Sequence, residues 1–166
     1  MRIVVICTGG TIEKVYSEQS GQVENLDSKI DRYLQMLRLP DTQVETIRLM
    51  NKDSLLMTDD DRALILAAIR TRLPSGAPVV ITHGTDTMVD TGTYLQKNLG
   101  PLPAPIVLTG AMTPLGFERS DGLQNLTESL FAARVLSPGV YLVMHNQVFP
   151  IDAVRKDREL AQFVRK

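Results

Sequence analysis

The chain has 166 residues, enough for one domain with a substantial buried core. Hydrophobic residues make up 43% and charged residues 22%, and the net charge of −1 argues against a general affinity for nucleic acid or an anionic membrane. Cys7 is the only cysteine, and no apolar run reaches the length of a signal-peptide core or a transmembrane helix. These features predict a cytoplasmic protein.

Strand and helix patterns alternate along the chain. A first strand at 3–7 is followed by an irregular stretch at 13–25 and by a helix around 30–37 that ends before Pro40. Further strands are predicted at 44–49, 79–82, 105–109 and 140–145, further helices after Thr58, at 86–98 and at 121–135, and a charged helix at 152–166. This order predicts a single α/β domain over 1–166, with an open, mainly parallel, doubly wound sheet and helices on both faces.

Three predicted strands end in loops rich in glycine and hydroxyl groups. The loops are Thr8-Gly9-Gly10-Thr11, His83-Gly84-Thr85-Asp86-Thr87 and Thr109-Gly110-Ala111. In an open parallel sheet, ligands bind in the crevice beyond the carboxyl ends of the strands. Glycine lets the backbone approach a ligand closely, and the polar residues supply a candidate nucleophile and a charge. The sequence therefore predicts a site for chemistry on a small polar molecule.

These loops resemble the signatures of the L-asparaginase/glutaminase amidohydrolases that use a threonine nucleophile. Thr8-Gly9-Gly10-Thr11-Ile12 is similar to the first signature and His83-Gly84-Thr85-Asp86-Thr87-Met88 to the second, while Thr109-Gly110-Ala111-Met112 and Ser120-Asp121-Gly122 fit the segment after the fourth strand. The resemblance covers nearly the whole chain. Because larger members carry a second α/β domain, it implies a short-chain, one-domain asparaginase that resembles their N-terminal domain.

The resemblance implies hydrolysis of L-asparagine to L-aspartate and ammonia, with weak glutaminase activity and without a cofactor or metal. Thr11 would form an acyl-enzyme, and Tyr16 would close over the substrate. Thr85 would position or activate water, and Asp86 would pair with the substrate α-ammonium. Ser54 would bind the α-carboxylate. From the residues alone, Thr11 also fits a turn and Asp86 fits a helix N-cap.

Backbone groups complete the implied site. N–H groups near Gly10 and Gly84 would stabilise the oxyanion, and the Ala111 carbonyl would accept from the substrate side-chain amide. The position after Ser54 is usually polar in the larger relatives, but here it is Leu55. One contact to the substrate backbone is therefore expected to be missing.

The resemblance also implies a catalytic lysine on the helix after the fourth strand, where this sequence has Leu136. Lys156 is the nearest later candidate. Its segment is highly charged, so two interpretations stay open: Lys156 replaces the missing catalytic group, or it is a solvated residue of the predicted C-terminal helix.

The remaining chemically reactive residues favour structural roles. His83 has no Gly-x-Ser-x-Gly partner motif and is predicted to be packed, His145 lacks the companions of a zinc site, and Cys7 is predicted to lie in the core.

Two alternatives remain. A flavodoxin-like fold could bind phosphate or a nucleotide at the same loop, although Gly-x-Gly-x-x-Gly and the P-loop ending are absent. A non-catalytic amino-acid sensor could keep the pocket without turnover.

In either an enzyme or a sensor, the crevice of a one-domain chain would be exposed. We therefore expect a homo-oligomer, a dimer or larger, with the crevice near an interface.

Overall fold

The computed structural model describes residues 1–166 and contains ten strands and four α-helices. The strands are β1 (Arg2–Gly9), β2 (Val15–Tyr16), β3 (Val23–Glu24), β4 (Gln43–Lys52), β5 (Val79–Thr82), β6 (Ile106–Thr109), β7 (Val140–Met144), β8 (Gln147–Pro150), β9 (Val154–Asp157) and β10 (Gln162–Arg165). The helices are α1 (Ile30–Met36), α2 (Asp59–Arg70), α3 (Met88–Asn98) and α4 (Gly122–Val135). The predicted α/β class is confirmed. No helix has the length and apolar character needed to cross a membrane.

The central sheet has six strands in the order β4-β1-β5-β6-β7-β8. All neighbours are parallel except β7 and β8, which form an antiparallel pair at one edge. The chain passes from β1 outward to β4 and then continues on the other side of β1 with β5. The strand order therefore reverses between β1 and β5, and open α/β sheets bind ligands beyond the strand ends at such a point.

Apolar side chains cover both faces of the sheet, as a parallel sheet requires. Along β1, Ile3, Val5 and Cys7 face one layer, whereas Val4 and Ile6 face the other, because successive strand residues point to opposite sides. The first layer contains buried residues of α1 and α4, and the second contains buried residues of α2 and α3. The predicted core position of Cys7 is confirmed, and burial raises the pKa of its thiol to about 12.

Thr58 starts α2 with a reciprocal pair of hydrogen bonds. Its hydroxyl accepts from the Asp61 N–H at 3.3 Å, and the Asp61 carboxylate accepts from the Thr58 N–H at 2.8 Å. This is the capping box that the acidic start after Thr58 predicts. A nearby cation, Lys52, contributes to holding the pKa of Asp61 below its ordinary value. The helix start is therefore fixed at the end of the loop that follows β4.

The predicted helix at 152–166 is wrong. A 3₁₀ turn at Ile151–Ala153 leads instead into an antiparallel hairpin of β9 and β10, in which Val154 faces Arg165 and Lys156 faces Phe163. Val154 and Phe163 are buried in the layer that contains α2 and α3. Two apolar residues that lie diagonally on one face of the hairpin, rather than a stripe at helical spacing, decide the conformation of this charged segment.

Candidate functional site

The loops after β1 and β5 touch through two glycines. Gly10 has a φ of +77°, and a Cβ atom placed on it would overlap the backbone of Gly84. Only glycine fits this close approach with this backbone conformation. The contact places the segments that carry Thr11 and Thr85 side by side at the β1–β5 switch point, as the sequence predicts.

The loop after β4 joins the same cluster. Ser54 begins a 3₁₀ turn that Asp53 caps by accepting a hydrogen bond from the Leu55 N–H at 3.0 Å. A Cβ atom on Gly84 would overlap the Ser54 side chain, and the Thr87 hydroxyl donates to the Ser54 carbonyl at 2.9 Å. Ser54 is therefore packed against the loop that carries Thr85.

A buried carboxyl group, which the sequence analysis missed, ties β1 to β5. Glu13 Oε1 accepts from the Gly9 N–H at 3.0 Å and from the Thr82 hydroxyl at 2.8 Å. Burial raises the pKa of Glu13 above its ordinary value. The other carboxyl oxygen, Oε2, is buried without a hydrogen-bond partner. The only signal in the sequence was the position of Glu13, a charged residue directly after the apolar Ile12 that ends the first signature.

Lys156 reaches the site from β9. Its Nζ lies 2.7 Å from Thr85 Oγ1 and 3.0 Å from Asp86 Oδ1, and the lysine donates both hydrogen bonds. Of the two interpretations of Lys156, the structure favours contact with the site over a solvated position. Asp86 does not cap a helix, because α3 begins at Met88 and its N-cap residue is Thr87.

The hairpin also brings a second cation that the sequence analysis missed. Arg158 Nη1 lies 3.2 Å from Asp86 Oδ1, the oxygen that also accepts from Lys156. Arg158 sits in the turn between β9 and β10, and its position depended on the hairpin that the sequence analysis did not predict. Asp86 therefore faces two positive charges.

The loop after β6 is held from behind by Asp121. Its carboxylate accepts from the N–H groups of Met112 and Thr113 at 2.9 to 3.0 Å, and His145 Nε2 lies 2.7 Å from it. Burial opposes ionisation of Asp121, but these contacts outweigh it and hold its pKa below the ordinary value. Ala111, directly before the held segment, is fully buried. The role of His145 in this buttress was not predicted.

Two other predicted residues lie differently. His83 is fully buried, with Nδ1 at 2.8 Å from the Gly84 carbonyl oxygen, and burial lowers its pKa to about 4. The expected packed role of His83 is confirmed. Tyr16 lies on β2 and is 58% exposed, and no hydrogen bond joins it to Thr11 or Lys156. The structure thus brings Ser54, Thr85, Asp86 and Lys156 together, places the segment of Thr11 beside them, and leaves Tyr16 exposed.

No cluster of three or more histidine, cysteine, aspartate or glutamate side chains is present that could hold a metal ion. Thr85 and Asp86 instead meet a lysine. The cluster combines hydroxyl groups, one carboxylate and one ammonium, which suits acyl transfer through a hydroxyl nucleophile.

Comparison with known proteins agrees with this geometry. The model of the asparaginase N-terminal domain matches residues 2–161. The chain is 32% identical over 148 residues to an L-asparaginase of Thermococcus kodakarensis, covering 89% of this chain and 45% of that protein. It is 36% identical over 138 residues to L-asparaginase 1 of Escherichia coli, covering 79% and 40%.

Solved structures agree as well. The thermostable L-asparaginase from Thermococcus kodakarensis matches with a TM-score of 0.88 at 31% identity, over 99% of this chain and 51% of that chain. An L-asparaginase I from Vibrio cholerae matches with a TM-score of 0.85 at 28% identity, over 99% and 51%. The chain spans about half the length of the relatives it matches. By sequence, fold and the arrangement of its strand-end loops, it belongs to the asparaginase family.

Proposed function

We propose that this protein hydrolyses L-asparagine to L-aspartate and ammonia, with Thr11 as the nucleophile. One observation carries the proposal: the Lys156 ammonium lies between the Thr85 hydroxyl and the Asp86 carboxylate. Thr85 and Asp86 belong to the loop that touches the Thr11 segment. Such an arrangement gives one hydroxyl a polarising cation and balances that cation with a carboxylate. The names of the matched relatives support the choice of substrate.

In the first step, the Thr11 oxygen bonds to the carbon of the substrate side-chain amide. Backbone N–H groups of the loops at 9–11 and 84–85 stabilise the negative charge that develops on the carbonyl oxygen. The hydroxyl proton passes to the amide nitrogen, the carbon–nitrogen bond breaks, and ammonia leaves. An aspartyl ester on Thr11 remains.

In the second step, water attacks that ester. Thr85, whose oxygen accepts a hydrogen bond from the Lys156 ammonium, positions the water. As the water oxygen bonds to the acyl carbon, the water proton passes to the departing Thr11 oxygen. The bond from the acyl carbon to the Thr11 oxygen breaks, that oxygen regains a proton, and L-aspartate leaves. Neither step requires a metal or a cofactor.

Recognition of the amino-acid end uses the other residues of the cluster. Asp86 pairs with the α-ammonium, Ser54 binds the α-carboxylate, and the Ala111 carbonyl accepts from the side-chain amide. Tyr16 closes over the bound substrate from its exposed position on β2. Glutamine differs by one methylene, worth about 1–3 kcal/mol of discrimination in a pocket, so we also propose weak glutaminase activity. Ammonia release from glutamine at equal concentration measures it.

Ammonia release by the Thr11→Ala and Thr85→Ala variants tests the proposal. Each should turn over asparagine at least about 10²-fold more slowly than wild type, the scale of one lost catalytic group. Thr127→Ala is the matched control, because Thr127 is an exposed residue of α4 whose hydroxyl bonds only to the Leu123 carbonyl. A Thr11→Ala variant with a near-normal rate overturns the nucleophile assignment. Calorimetric binding of asparagine to wild type without ammonia release would indicate a sensor.

We further propose that the protein acts in the cytoplasm as a homo-oligomer, a dimer or larger. Lys156 and Asp86 retain side-chain exposures of 16% and 26%, so a second copy over the strand ends would exclude water from the reaction. Sedimentation at the assay concentration tests the assembly. A fully active monomer would contradict it.

A further inference from the structure

We infer that Arg158 binds the α-carboxylate of the amino-acid substrate, so that Arg158 and Asp86 together recognise its zwitterionic end. The inference rests on the proposed function, because it assumes that an α-amino acid occupies the crevice beside Thr85. It adds a specificity-determining residue that neither the signature loops nor the strand ends contain.

The hairpin places Arg158 on the side of the site. Arg158 follows the last residue of β9, and its guanidinium reaches the same Asp86 oxygen as the Lys156 ammonium. Arg155 lies on the opposite face of β9 from Lys156, because successive strand residues point to opposite sides. The turn is fixed at its start by Asp157, whose carboxylate accepts from the Leu160 N–H at 3.1 Å. Arg158 is therefore the first turn residue after the strand that delivers Lys156.

Asp86 and Arg158 both keep hydrogen-bonding atoms that their mutual contact does not use. Lys156 and Arg158 both approach Oδ1, at 3.0 and 3.2 Å, and neither contacts Oδ2. The Arg158 side chain is 69% exposed, and a guanidinium carries five N–H donors of which this contact uses one. A substrate can thus place its ammonium against Oδ2 and its carboxylate against the remaining guanidinium N–H groups.

The charges match the ligand in sign and spacing. In an α-amino acid the ammonium and the carboxylate are attached to one carbon, so their binding groups must lie side by side. A carboxylate and a guanidinium separated by 3.2 Å meet this requirement. Arginine also presents a planar pair of donors that fits a carboxylate with two parallel hydrogen bonds.

Arg158 also supplies a charge that the loop after β4 does not offer. Ser54 offers one hydroxyl to the α-carboxylate, but the following residue is Leu55, whose exposed apolar side chain offers no hydrogen bond. A carboxylate held by one hydroxyl alone would keep most of its charge uncompensated. Arg158 supplies the missing cation from a different element of the fold.

The test compares Arg158→Gln with Arg155→Gln, an equal change on the opposite face of the same hairpin. Two readouts are measured: calorimetric binding of L-aspartate, and kcat/KM for asparagine against 3-aminopropanamide, which is asparagine without its α-carboxylate. Arg158→Gln should weaken L-aspartate binding about five-fold to ten-fold, between an exposed ion pair and a bidentate one. The preference for asparagine over 3-aminopropanamide should fall by the same factor with kcat nearly unchanged, and Arg155→Gln should change neither.

Two results overturn the inference. Unchanged L-aspartate binding by Arg158→Gln would mean that the guanidinium is solvated and does not contact the ligand. An equal loss of kcat/KM on both substrates would mean that Arg158 acts only by holding Asp86. A wild-type protein that releases no ammonia, yet loses L-aspartate binding in Arg158→Gln, overturns the proposed function and supports the Arg158 assignment.

Discussion

The loop after β5 and the β9–β10 hairpin meet at Thr85, but they are built in opposite ways. The loop continues a fully buried strand, and the His83 N–H donates to the Thr109 carbonyl at 2.8 Å, which ties it to the neighbouring strand end. The hairpin is two short strands anchored in the core by Val154 and Phe163. The Thr85 hydroxyl therefore belongs to a loop that the central sheet holds in place, whereas the Lys156 ammonium belongs to a short hairpin with two buried anchors.

This difference separates two properties of the site. The position of Thr85 depends on the sheet as a whole, so it is lost only when the domain unfolds. The position of Lys156 depends on the two buried anchors of the hairpin and on side-chain hydrogen bonds to Thr85 and Asp86, 71 and 70 positions earlier in the chain. Substitutions in the hairpin should therefore lower the rate of catalysis more than they lower the stability of the fold.

The strongest way to break this comparison is Lys156→Met. If the hairpin supplies the polarising cation, asparagine turnover should fall about 10²-fold to 10⁴-fold, the range of one acid–base group. The midpoint of thermal unfolding should change little, because the ammonium is partly exposed. Lys166→Met serves as the control, since Lys166 Nζ donates only to the exposed Asp152 carbonyl. Turnover within a few-fold of wild type would show that the hairpin contributes no catalytic group.

A second variant, Phe163→Ala, weakens the anchor and leaves Lys156 in place. Truncating this buried side chain should lower the free energy of unfolding by about 3 kcal/mol, measured by urea denaturation. Because Phe163 faces Lys156 across the hairpin, turnover of the folded protein should fall as well. Val164→Ala, on the outward face of the same strand, should do neither. Full turnover by folded Phe163→Ala would mean that other contacts hold Lys156.

The sequence predicted the sheet, the helices and the loop cluster because their signals are local. The strand at 79–82 is found with the predicted limits, and the glycines after β1 and β5 were placed together because parallel strands end at one edge. The hairpin could not be predicted in this way. Its two buried residues are nine positions apart, and the intervening charges resemble those of a solvated helix. The contact of Arg158 with Asp86 depends on that packing, and the contact of His145 with Asp121 joins residues 24 positions apart.

The smallest expected effect concerns Glu13, which ties β1 to β5 beside the site. The pKa of Glu13 is raised in the folded protein, so the native state binds its proton more tightly than the unfolded chain does. The resulting stabilisation is present below the ordinary glutamate pKa of about 4.5 and is lost as pH rises through the folded pKa. Buried His83, with its pKa lowered to about 4, makes stability rise with pH in part of this window, but it does so equally in wild type and in Glu13→Gln. Urea denaturation should therefore show that wild type loses stability relative to Glu13→Gln as the pH rises.

Glu18→Gln is the control for that experiment, because Glu18 is exposed and lies in the same irregular segment. It should show the same pH dependence as wild type. An identical pH dependence in Glu13→Gln and wild type would mean that the buried carboxyl does not titrate with folding. Asp61 and Asp121 do not interfere, because their lowered pKa values move their own loss of stability to more acidic pH.

The contact of Gly10 with Gly84 determines where this protein can be redesigned. Any side chain at either glycine would overlap neighbouring atoms, so saturation libraries at these positions should return almost only the parental residue. Arg158 in the hairpin turn has open surroundings and faces the same ligand space. A search for altered amino-acid preference should therefore randomise positions in the hairpin and leave the signature loops unchanged.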